Sequence, residues 1–260
     1  MKKKYIIIVG ANGYLSHHFS KNLCKNYNLI LWDIKFSKKF SSDIKKLSVK
    51  YNSSVTLHKV DITKKNNIKR SIQFIRKEKI KIYGLINCAG LNPQPNIKNP
   101  DYNKNFKSFI NMWDQEINIS LKGYMLIIYE VSKILQKSRN STIINFSSDL
   151  GIISPNQNIY SKNSVKPLVY SVSKHGIIGM TKYFATFFSK KGIRVNSICF
   201  GGVYNKKFEK NFVRKFSKLV PLSRMCKIEE ILSPINFLLD EKNSYMTGHS
   251  LIIDGGRTIW

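Results

Sequence analysis

Seven short apolar runs recur along this chain, and stretches with helical patterning separate most of them. The runs are Tyr5–Val9, Asn28–Asp33, Val55–Asp61, Tyr83–Ala89, Thr142–Ser147, Arg194–Cys199 and Ser250–Ile253. Isoleucine and valine on both faces of such runs are typical of parallel strands that helices cover on both sides. We therefore predict an α/β fold with a doubly wound, seven-stranded parallel sheet, whose ligands bind at the carboxyl ends of the strands.

The segments between the runs predict helices at about 14–26, 63–79, 109–137, 168–190 and 228–239. Thr63 is a candidate N-cap and Gly192 a candidate C-cap. Pro234 should kink the last helix or mark its start, and Gly201–Leu219 is predicted to be a mobile segment. Because no internal repeat or composition shift divides the chain, we predict a single domain over residues 1–260.

The net charge of +29 is the least usual property of the composition. A basic protein can attract nucleic acid, anionic membranes or acidic substrates. The lysines are spread over the whole length, interleaved with asparagines, and no nucleic-acid-binding motif is present. We predict a solvated basic surface and no nucleic-acid partner, although the field could speed the arrival of acidic or phosphorylated substrates.

Cysteines, histidines and apolar stretches argue against several other classes of protein. The four cysteines, Cys24, Cys88, Cys199 and Cys226, form neither a zinc motif nor a disulfide pattern. The five histidines show no ligand spacing, so we predict no metal. No apolar stretch approaches the length that crosses a bilayer, so we predict no membrane association. Scattered cysteines fit a reducing compartment, and we predict a cytoplasmic location.

A glycine-containing turn follows the first predicted strand and opens the first predicted helix. It reads Gly10-Ala11-Asn12-Gly13-Tyr14-Leu15-Ser16. Backbone N–H groups at a helix N-terminus, where glycine permits close approach, suit the pyrophosphate of a dinucleotide. Asp33 ends the second strand about 20 residues later, where a carboxylate can accept both hydroxyls of the adenosine ribose. Because this carboxylate would repel a 2′-phosphate, we predict NAD. Lys35, Lys38 and Lys39 could soften that preference and leave NADP possible.

A tyrosine and a lysine four positions apart lie on the helix predicted at about 168–190, in Tyr170-Ser171-Val172-Ser173-Lys174. This spacing places both side chains on one helix face. A free tyrosine ionises near pH ~10 and is a poor catalyst at neutral pH. A nearby ammonium lowers that pKa, so the pair could exchange a proton with an alcohol or carbonyl oxygen.

These motifs occur in the order and spacing of the short-chain dehydrogenase/reductase family, which the chain resembles over nearly its whole length. The likeness also rests on Asn87-Cys88-Ala89-Gly90, Asn118, Ser147-Ser148, Arg194-Val195-Asn196-Ser197, Gly201-Gly202-Val203 and Asp254-Gly255-Gly256. Asp61 with Ile62 matches the family's adenine-contacting position. The resemblance implies a Rossmann domain and an NAD(P)-dependent oxidoreductase that transfers hydride between nicotinamide and a hydroxyl/carbonyl substrate.

The resemblance also implies roles for individual residues. Tyr170 would exchange the proton with substrate, and Lys174 would lower its pKa and hold the nicotinamide ribose. Ser148 would hydrogen-bond the carbonyl, and Asn118 would anchor a water of the proton relay. The residues implied to bind the cofactor are Gly10, Asn12, Gly13, Tyr14, Leu15, Asp33, Asp61, Ile62, Asn87, Ala89, Gly90, Tyr170, Lys174, Gly201, Val203 and Asn205. Family likeness further implies a homodimer or homotetramer, formed in part through the helix that carries Tyr170.

The chain departs from the family pattern at several positions. Tyr14 and Ser16 stand where the commonest pattern has its second and third glycines, and Tyr14 narrows the room near the pyrophosphate. Phe200 replaces the usual proline before Gly201. Asn205 stands where a threonine often holds the nicotinamide carboxamide, a role its side-chain amide could fill.

Twenty-two positions separate Ser148 from Tyr170, more than is usual in the family. The extra length, around Pro155–Lys166, predicts a loop over the substrate mouth beside Asn92–Lys107 and Gly201–Leu219. These features resemble short-chain dehydrogenases of bacterial surface-sugar and flagellin-glycan biosynthesis, so a sugar or nucleotide-sugar derivative is the favoured substrate. One alternative is a 3-oxoacyl-carrier-protein reductase. Another, motivated by the unusual turn, is a cofactor-binding regulator without turnover.

Overall fold

Seven parallel strands form the central sheet in the part of the chain that the structure describes. The computed structural model describes residues 3–92, 102–135, 140–161 and 164–260. The strands are β1 (Tyr5–Val9), β2 (Asn28–Asp33), β3 (Val55–Lys59), β4 (Ile82–Asn87), β5 (Ser141–Phe146), β6 (Ile193–Phe200) and β7 (Ser250–Ile253). Their order is β3-β2-β1-β4-β5-β6-β7, with every neighbouring pair parallel. The predicted seven-stranded parallel sheet is confirmed.

Helices cover both faces of this sheet because alternate strand residues point to opposite sides. The described helices are α1 (Tyr14–Leu23), α2 (Lys38–Lys50), α3 (Lys65–Lys77), α4 (Tyr102–Ile117), α5 (Tyr124–Val131), α6 (Leu168–Phe188), α7 (Lys210–Ser217) and α8 (Leu232–Leu239). In β1, Ile6 and Ile8 pack with α1, α2 and α8, whereas Ile7 and Val9 pack with α3, α5 and α6. None of the helices in the described ranges is both long and apolar enough to span a bilayer.

The sheet has its topological switch point at β1. This strand pairs with β2 on one side and with β4 on the other, so the connections leaving β1 and β4 run in opposite directions across the sheet. A crevice forms at the carboxyl end of the sheet where such connections diverge. The segments that follow β1, β4, β5 and β6 meet at this edge.

Several predicted boundaries were wrong, each for a local reason. The predicted helix at 109–137 is divided by a π-helix, Asn118–Gly123, between α4 and α5; its last predicted residues lie outside the described ranges. Thr63 does not cap α3, because its hydroxyl donates to the carboxylate of Asp61 at 2.7 Å. Gly201–Leu219 contains α7, which buries Phe216 in a small apolar cluster.

Other local predictions agree with the structure. Gly192 follows α6 in the left-handed conformation, with φ of 67°. Pro234 is the third residue of α8 and so lies at its start, where proline sacrifices no intrahelical hydrogen bond. Most of the predicted loop Asn92–Lys107 lies outside the described residues.

Candidate active site

A cavity of about 470 Å³ opens at the carboxyl edge of the sheet, between the segments that follow β1, β4, β5 and β6. Ten of the residues predicted from the sequence line it: Gly13, Tyr14, Leu15, Gly90, Ser148, Tyr170, Lys174, Gly201, Val203 and Asn205. The first turn of α1 forms one end of the cavity. Aromatic side chains from the segment after β6 form the other end, as expected for a site that holds a cofactor and a second small molecule.

Three of the four predicted catalytic residues meet in this cavity. Tyr170 and Lys174 lie one turn apart on α6, and the Lys174 Nζ is 5.3 Å from the centre of the Tyr170 ring. Lys174 is buried and its Nζ lies 3.4 Å from the carbonyl oxygen of Phe146. Ser148 follows β5 and lines the same cavity, where its hydroxyl acts to lower the pKa of Tyr170. The i, i+4 spacing therefore places both side chains at the cavity.

The electrostatics of Tyr170 differ from what the spacing predicted. Burial raises the pKa of Tyr170 above its ordinary value, and the hydrogen bond with Ser148 only partly opposes this shift. Burial likewise lowers the pKa of Lys174, against the opposing effect of the Glu116 carboxylate. The expectation of an acidic phenol is therefore not met in the protein alone, because loss of water disfavours both charged forms.

The fourth predicted catalytic residue, Asn118, does not join this group. It lies at the start of the π-helix with an exposed side chain, whereas Ser120 is fully buried and faces the site. A Cβ atom added to Gly90 would lie 3.3 Å from the Ser120 Oγ and 3.7 Å from the Lys174 Nζ. The prediction for Asn118 is corrected: residues two positions apart on a helix face different ways, so Ser120 occupies the position expected for the asparagine.

A buried carboxylate that the sequence reasoning missed holds Ser120 in place. Oε1 of Glu116 accepts hydrogen bonds from the hydroxyls of Ser120, at 2.7 Å, and Ser173, at 2.8 Å. Oε2 accepts the N–H of Leu91 at 3.0 Å. Glu116 thus ties α4, the π-helix, α6 and the segment after β4 together. The sequence signal that could have identified it is the spacing of Glu116 and Ser120, which lie one helical turn apart.

The sequence reasoning also missed Asp149 and Arg257, a pair of residues beside Ser148. The two side chains form an ion pair in which each is only 4% exposed. Oδ1 of Asp149 also accepts the Ser148 hydroxyl at 2.7 Å and the N–H of Leu150 at 2.8 Å, while the Arg257 guanidinium lies 4.9 Å from the centre of the Phe216 ring. Nothing in the sequence connects positions 149 and 257, because only the pairing of β5, β6 and β7 brings the two segments together.

The predicted phosphate turn has the geometry that an anion requires. Gly13 is the N-cap of α1 and supplies no side-chain hydrogen bond, and the first turn contains no acidic residue. Gly13, Tyr14 and Leu15 of this turn line the cavity, and N–H groups without intrahelical partners at a helix N-terminus favour an anion. The N–H of Asn12 donates to Oδ2 of Asp33 at 2.9 Å, which places the carboxylate beside the turn.

Gly10 is the position in the turn where only glycine fits. Its φ is +74°, and a Cβ atom there would lie 2.6 Å from the Cα of Ala89. We expect Gly10→Ala to lower the free energy of unfolding by about 1–3 kcal/mol, since both the backbone conformation and the close contact oppose a side chain. Urea denaturation measures this difference.

Gly179→Ala is the matched control for that measurement. Gly179 lies on the exposed face of α6, where an added Cβ atom would meet nothing within 4 Å. Alanine is favoured over glycine inside a helix by about 0.5–1 kcal/mol, so this variant should be as stable as the wild type or more so. Equal effects of the two substitutions would contradict the role given to Gly10.

The remaining predicted cofactor residues lie after β3 and at the end of β4. Asp61 accepts the N–H and hydroxyl of Thr63, and Ile62 packs against Gly123, both after β3. Asn87 is buried and donates to Asn145 at 2.9 Å in the interior of the sheet; neither it nor Ala89 is among the residues lining the cavity. Asn87 therefore joins β4 to β5 and does not face the cavity.

Two of the unusual residues of this sequence, Tyr14 and Asn205, line the cavity. The hydroxyl of Tyr14 donates to the carbonyl oxygen of Tyr204 at 3.0 Å, so the ring spans from the phosphate turn to the segment after β6. Oδ1 of Asn205 accepts the N–H of Lys207 at 3.0 Å, which leaves the side-chain NH₂ group for other partners. The half-exposed Tyr14 ring therefore lies at the mouth of the cavity.

Comparison with known proteins identifies the family. A family model described as enoyl-(acyl carrier protein) reductase matches residues 23–258. The chain belongs to the short-chain dehydrogenase/reductase family. It is thus an oxidoreductase of the NAD(P)-dependent type, as the sequence predicted.

Individual relatives within the short-chain dehydrogenase/reductase family differ in what they do. The chain is 26% identical to post-translational flagellin modification protein A of Campylobacter coli, over 98% of each protein. It is 31% identical to a 3-oxoacyl-acyl-carrier-protein reductase of Thermotoga maritima, over 77% of this chain and 76% of that protein. A solved structure of a short-chain dehydrogenase from Leptospira borgpetersenii, with bound NAD+, has a TM-score of 0.83 and 26% identity, covering 100% of this chain and 94% of that one.

Proposed function

We propose that this short-chain dehydrogenase/reductase transfers hydride between NAD and a hydroxyl/carbonyl pair on a sugar or nucleotide-sugar derivative. The observation that carries the proposal is the convergence of Ser148, Tyr170 and Lys174 in one cavity that also includes the first turn of α1. The cofactor, when bound, supplies or accepts the hydride. Tyr170 exchanges the proton with the substrate oxygen, and Ser148 orients that oxygen by a hydrogen bond.

The chain's own residues fit a dinucleotide at the α1 end of this cavity. The uncapped first turn of α1 would hold the pyrophosphate, and Asp33 would accept the ribose hydroxyls. Lys174, buried beside Tyr170, would hold the nicotinamide ribose. This assignment agrees with the NAD+ bound to the Leptospira borgpetersenii relative.

The far end of the cavity supports a polar, ring-shaped substrate. Its aromatic residues are Tyr160, Phe208, Phe212 and Phe216. Asp149, Lys166, Asn92 and Arg257 add charged and amide groups to the same cavity. Flat apolar surfaces combined with several hydrogen-bonding groups suit a sugar ring, and the flagellin modification protein matches this chain over nearly its full length.

A 3-oxoacyl thioester is the second candidate substrate, favoured by the 31% identical relative. The cavity's aromatic residues would also accept an acyl chain. Against this candidate, Asp33 favours NAD, because its carboxylate would repel a 2′-phosphate. Turnover of acetoacetyl thioesters with NADPH would select this alternative over the first.

Cofactor choice is tested at Asp33. We expect Asp33→Asn to weaken NAD binding by about 10–100-fold, since a hydrogen bond to a charged group contributes about 1.5–3 kcal/mol, and to improve binding of NADP relative to NAD. Titration calorimetry with each dinucleotide measures both effects. Asp43→Asn is the matched control, because Asp43 carries the same charge on α2 but pairs with Lys21 at 2.6 Å. Tighter binding of NADP than NAD by the wild type would contradict the assignment.

The function itself is tested by absorbance of the reduced nicotinamide. The wild-type protein is incubated with NAD and a panel of sugar alcohols, aldoses and nucleotide sugars, alongside acetoacetyl thioesters with NADPH. We expect reduced nicotinamide to form with a member of the sugar panel. This turnover should depend on Tyr170. Binding of NAD without turnover of any alcohol or carbonyl would instead support a cofactor-binding regulator.

We further propose that the protein is a cytoplasmic homodimer or homotetramer. The support for self-association lies on α6, where Tyr183 and Phe187 are exposed and stack with ring centres 5.8 Å apart. Exposed aromatic residues grouped on one helix mark a surface suited to protein contact. The single-domain organisation over residues 1–260 remains a prediction of the sequence.

A further inference from the structure

Lys166 lies in the cavity directly over the Tyr170 ring. Its Nζ is 3.8 Å from the centre of that ring, closer than the Lys174 Nζ at 5.3 Å. The side chain is only 8% exposed, and the same Nζ lies 2.6 Å from Oδ1 of Asn92. Tyr170 therefore has ammonium groups from two lysines beside it.

The loop before α6 holds Lys166 in this position. Oε1 of Gln157 accepts the N–H of Lys166 at 2.8 Å, and Nε2 of Gln157 donates to its carbonyl oxygen at 3.2 Å. Pro167 follows as the N-cap of α6 and restricts the backbone on the other side. Burying an ammonium group costs free energy. The hydrogen bonds with Gln157 and the restricted backbone of Pro167 fix the main chain on both sides of Lys166, and so hold its ammonium at the Tyr170 ring.

Charged and titratable groups of the described residues surround both side chains. Lys174, Glu116 and Asp149 face Lys166; Asp149, Glu116 and the phenol of Tyr160 face Tyr170. Asp149 is paired with Arg257, and Glu116 accepts two hydroxyls and an N–H group. Both carboxylates disfavour a charged phenol, whereas the Ser148 hydroxyl and a positive charge on either lysine favour it.

We propose that Lys166 is a positioning residue for proton transfer, whose ammonium stabilises the phenolate of Tyr170 from the ring face while Lys174 acts from the helix. The proposal rests on the proposed function of Tyr170. An ionised phenol carries part of its negative charge in the ring, so a cation on that face is attracted more strongly to the phenolate than to the phenol. The proton moves between the oxygens of Tyr170 and the substrate, and Lys166 keeps its own protons.

The effect has a defined pH dependence. Alcohol oxidation needs the phenolate, so its rate rises with pH through the pKa of Tyr170. An opposite charge within about 4–6 Å lowers such a pKa by about 1–3 units. Burial lowers the pKa of Lys166 itself to about 8, so its charge is present below that pH and is lost above it in the resting protein. Below about pH 8, where Lys166 is charged, Lys166→Met should lower the rate of alcohol oxidation by about 10-fold or more, which corresponds to a change of one unit or more in the phenol pKa. The difference between the two proteins should shrink at higher pH.

The decisive measurement does not depend on turnover. A polyfluorinated tyrosine, chosen so that its phenol ionises below about pH 8 where Lys166 is charged, is incorporated at position 170 alone, and its ionisation is followed by fluorine NMR in the full-length protein. We expect Lys166→Met to raise the phenol pKa by at least about one unit and Lys166→Arg, which keeps the charge, to leave it close to the wild-type value. Lys166→Gln is measured in parallel, so that a folding defect of the methionine variant does not decide the result.

Lys182→Met is the matched control, since Lys182 is exposed on the same helix and its loss changes the net charge equally. An unchanged phenol pKa in both neutral Lys166 variants, or a shift of the same size in the Lys182 variant, would overturn the proposal. The proposed function fails separately: a wild-type protein without turnover would remove it, while a shifted phenol pKa would still establish the action of Lys166.

Discussion

Replacing Tyr170 by phenylalanine is expected to lower turnover by roughly 10²–10⁴-fold, which is the usual contribution of a positioned acid–base group. The aromatic ring remains, so the packing of α6 and the stacking surface for Lys166 are preserved. The hydroxyl that exchanges the proton and bonds to Ser148 is lost. NAD affinity should change little, because in the proposed site Lys174 and the α1 turn, and not the phenol, hold most of the dinucleotide. Initial rates and calorimetric NAD binding separate the two effects.

Tyr183→Phe provides the comparison for this prediction. Tyr183 also lies on α6, but its ring is exposed and distant in sequence from the cavity-lining residues of that helix. Its hydroxyl should therefore contribute nothing to turnover. Full activity of the Tyr170 variant would show that another group transfers the proton, and a parallel loss of NAD binding would point to a structural defect.

Replacing Arg257 by methionine is expected to lower the free energy of unfolding by about 3–5 kcal/mol, because it leaves the buried Asp149 carboxylate without its cation. Methionine retains much of the side-chain volume over Phe216, so lost packing is a small part of the effect. The remaining bonds to Asp149 come from Ser148 and Leu150. Chemical denaturation measures the loss, and a disturbed Ser148 should lower turnover as well.

Two further variants show whether the unpaired charge is the cause. Adding Asp149→Asn to the methionine variant removes the charge and should restore part of the lost stability, while the amide oxygen can still accept from Ser148. Arg224→Met removes an arginine from the exposed pair with Glu230, which has a 2.7 Å contact, and should cost less than about 1 kcal/mol. Equal losses at Arg257 and Arg224 would contradict the importance given to burial.

The fold was predictable because its signal is local. β1, β2 and β7 begin and end where the apolar runs indicated, since strands that are buried on both faces must be apolar throughout. Tyr170 and Lys174 were predictable for a similar reason: a helix places residues four apart on one face. The sequence alone did not place the helix asparagine, because a shift of two positions along the helix moves a side chain from a buried contact with Glu116, as at Ser120, to the solvent, as at Asn118.

By itself, the order of strands, turns and motifs determined the parallel sheet, the edge at which the site lies and the family of the protein. Only the tertiary structure decided which side chains share that site. Asp149 meets Arg257, and Lys166 meets Tyr170, through the pairing of distant strands and the course of a loop. It also reversed the direction expected for the Tyr170 pKa, because an ionisation depends on how much water the surrounding chain excludes, which no spacing of residues records.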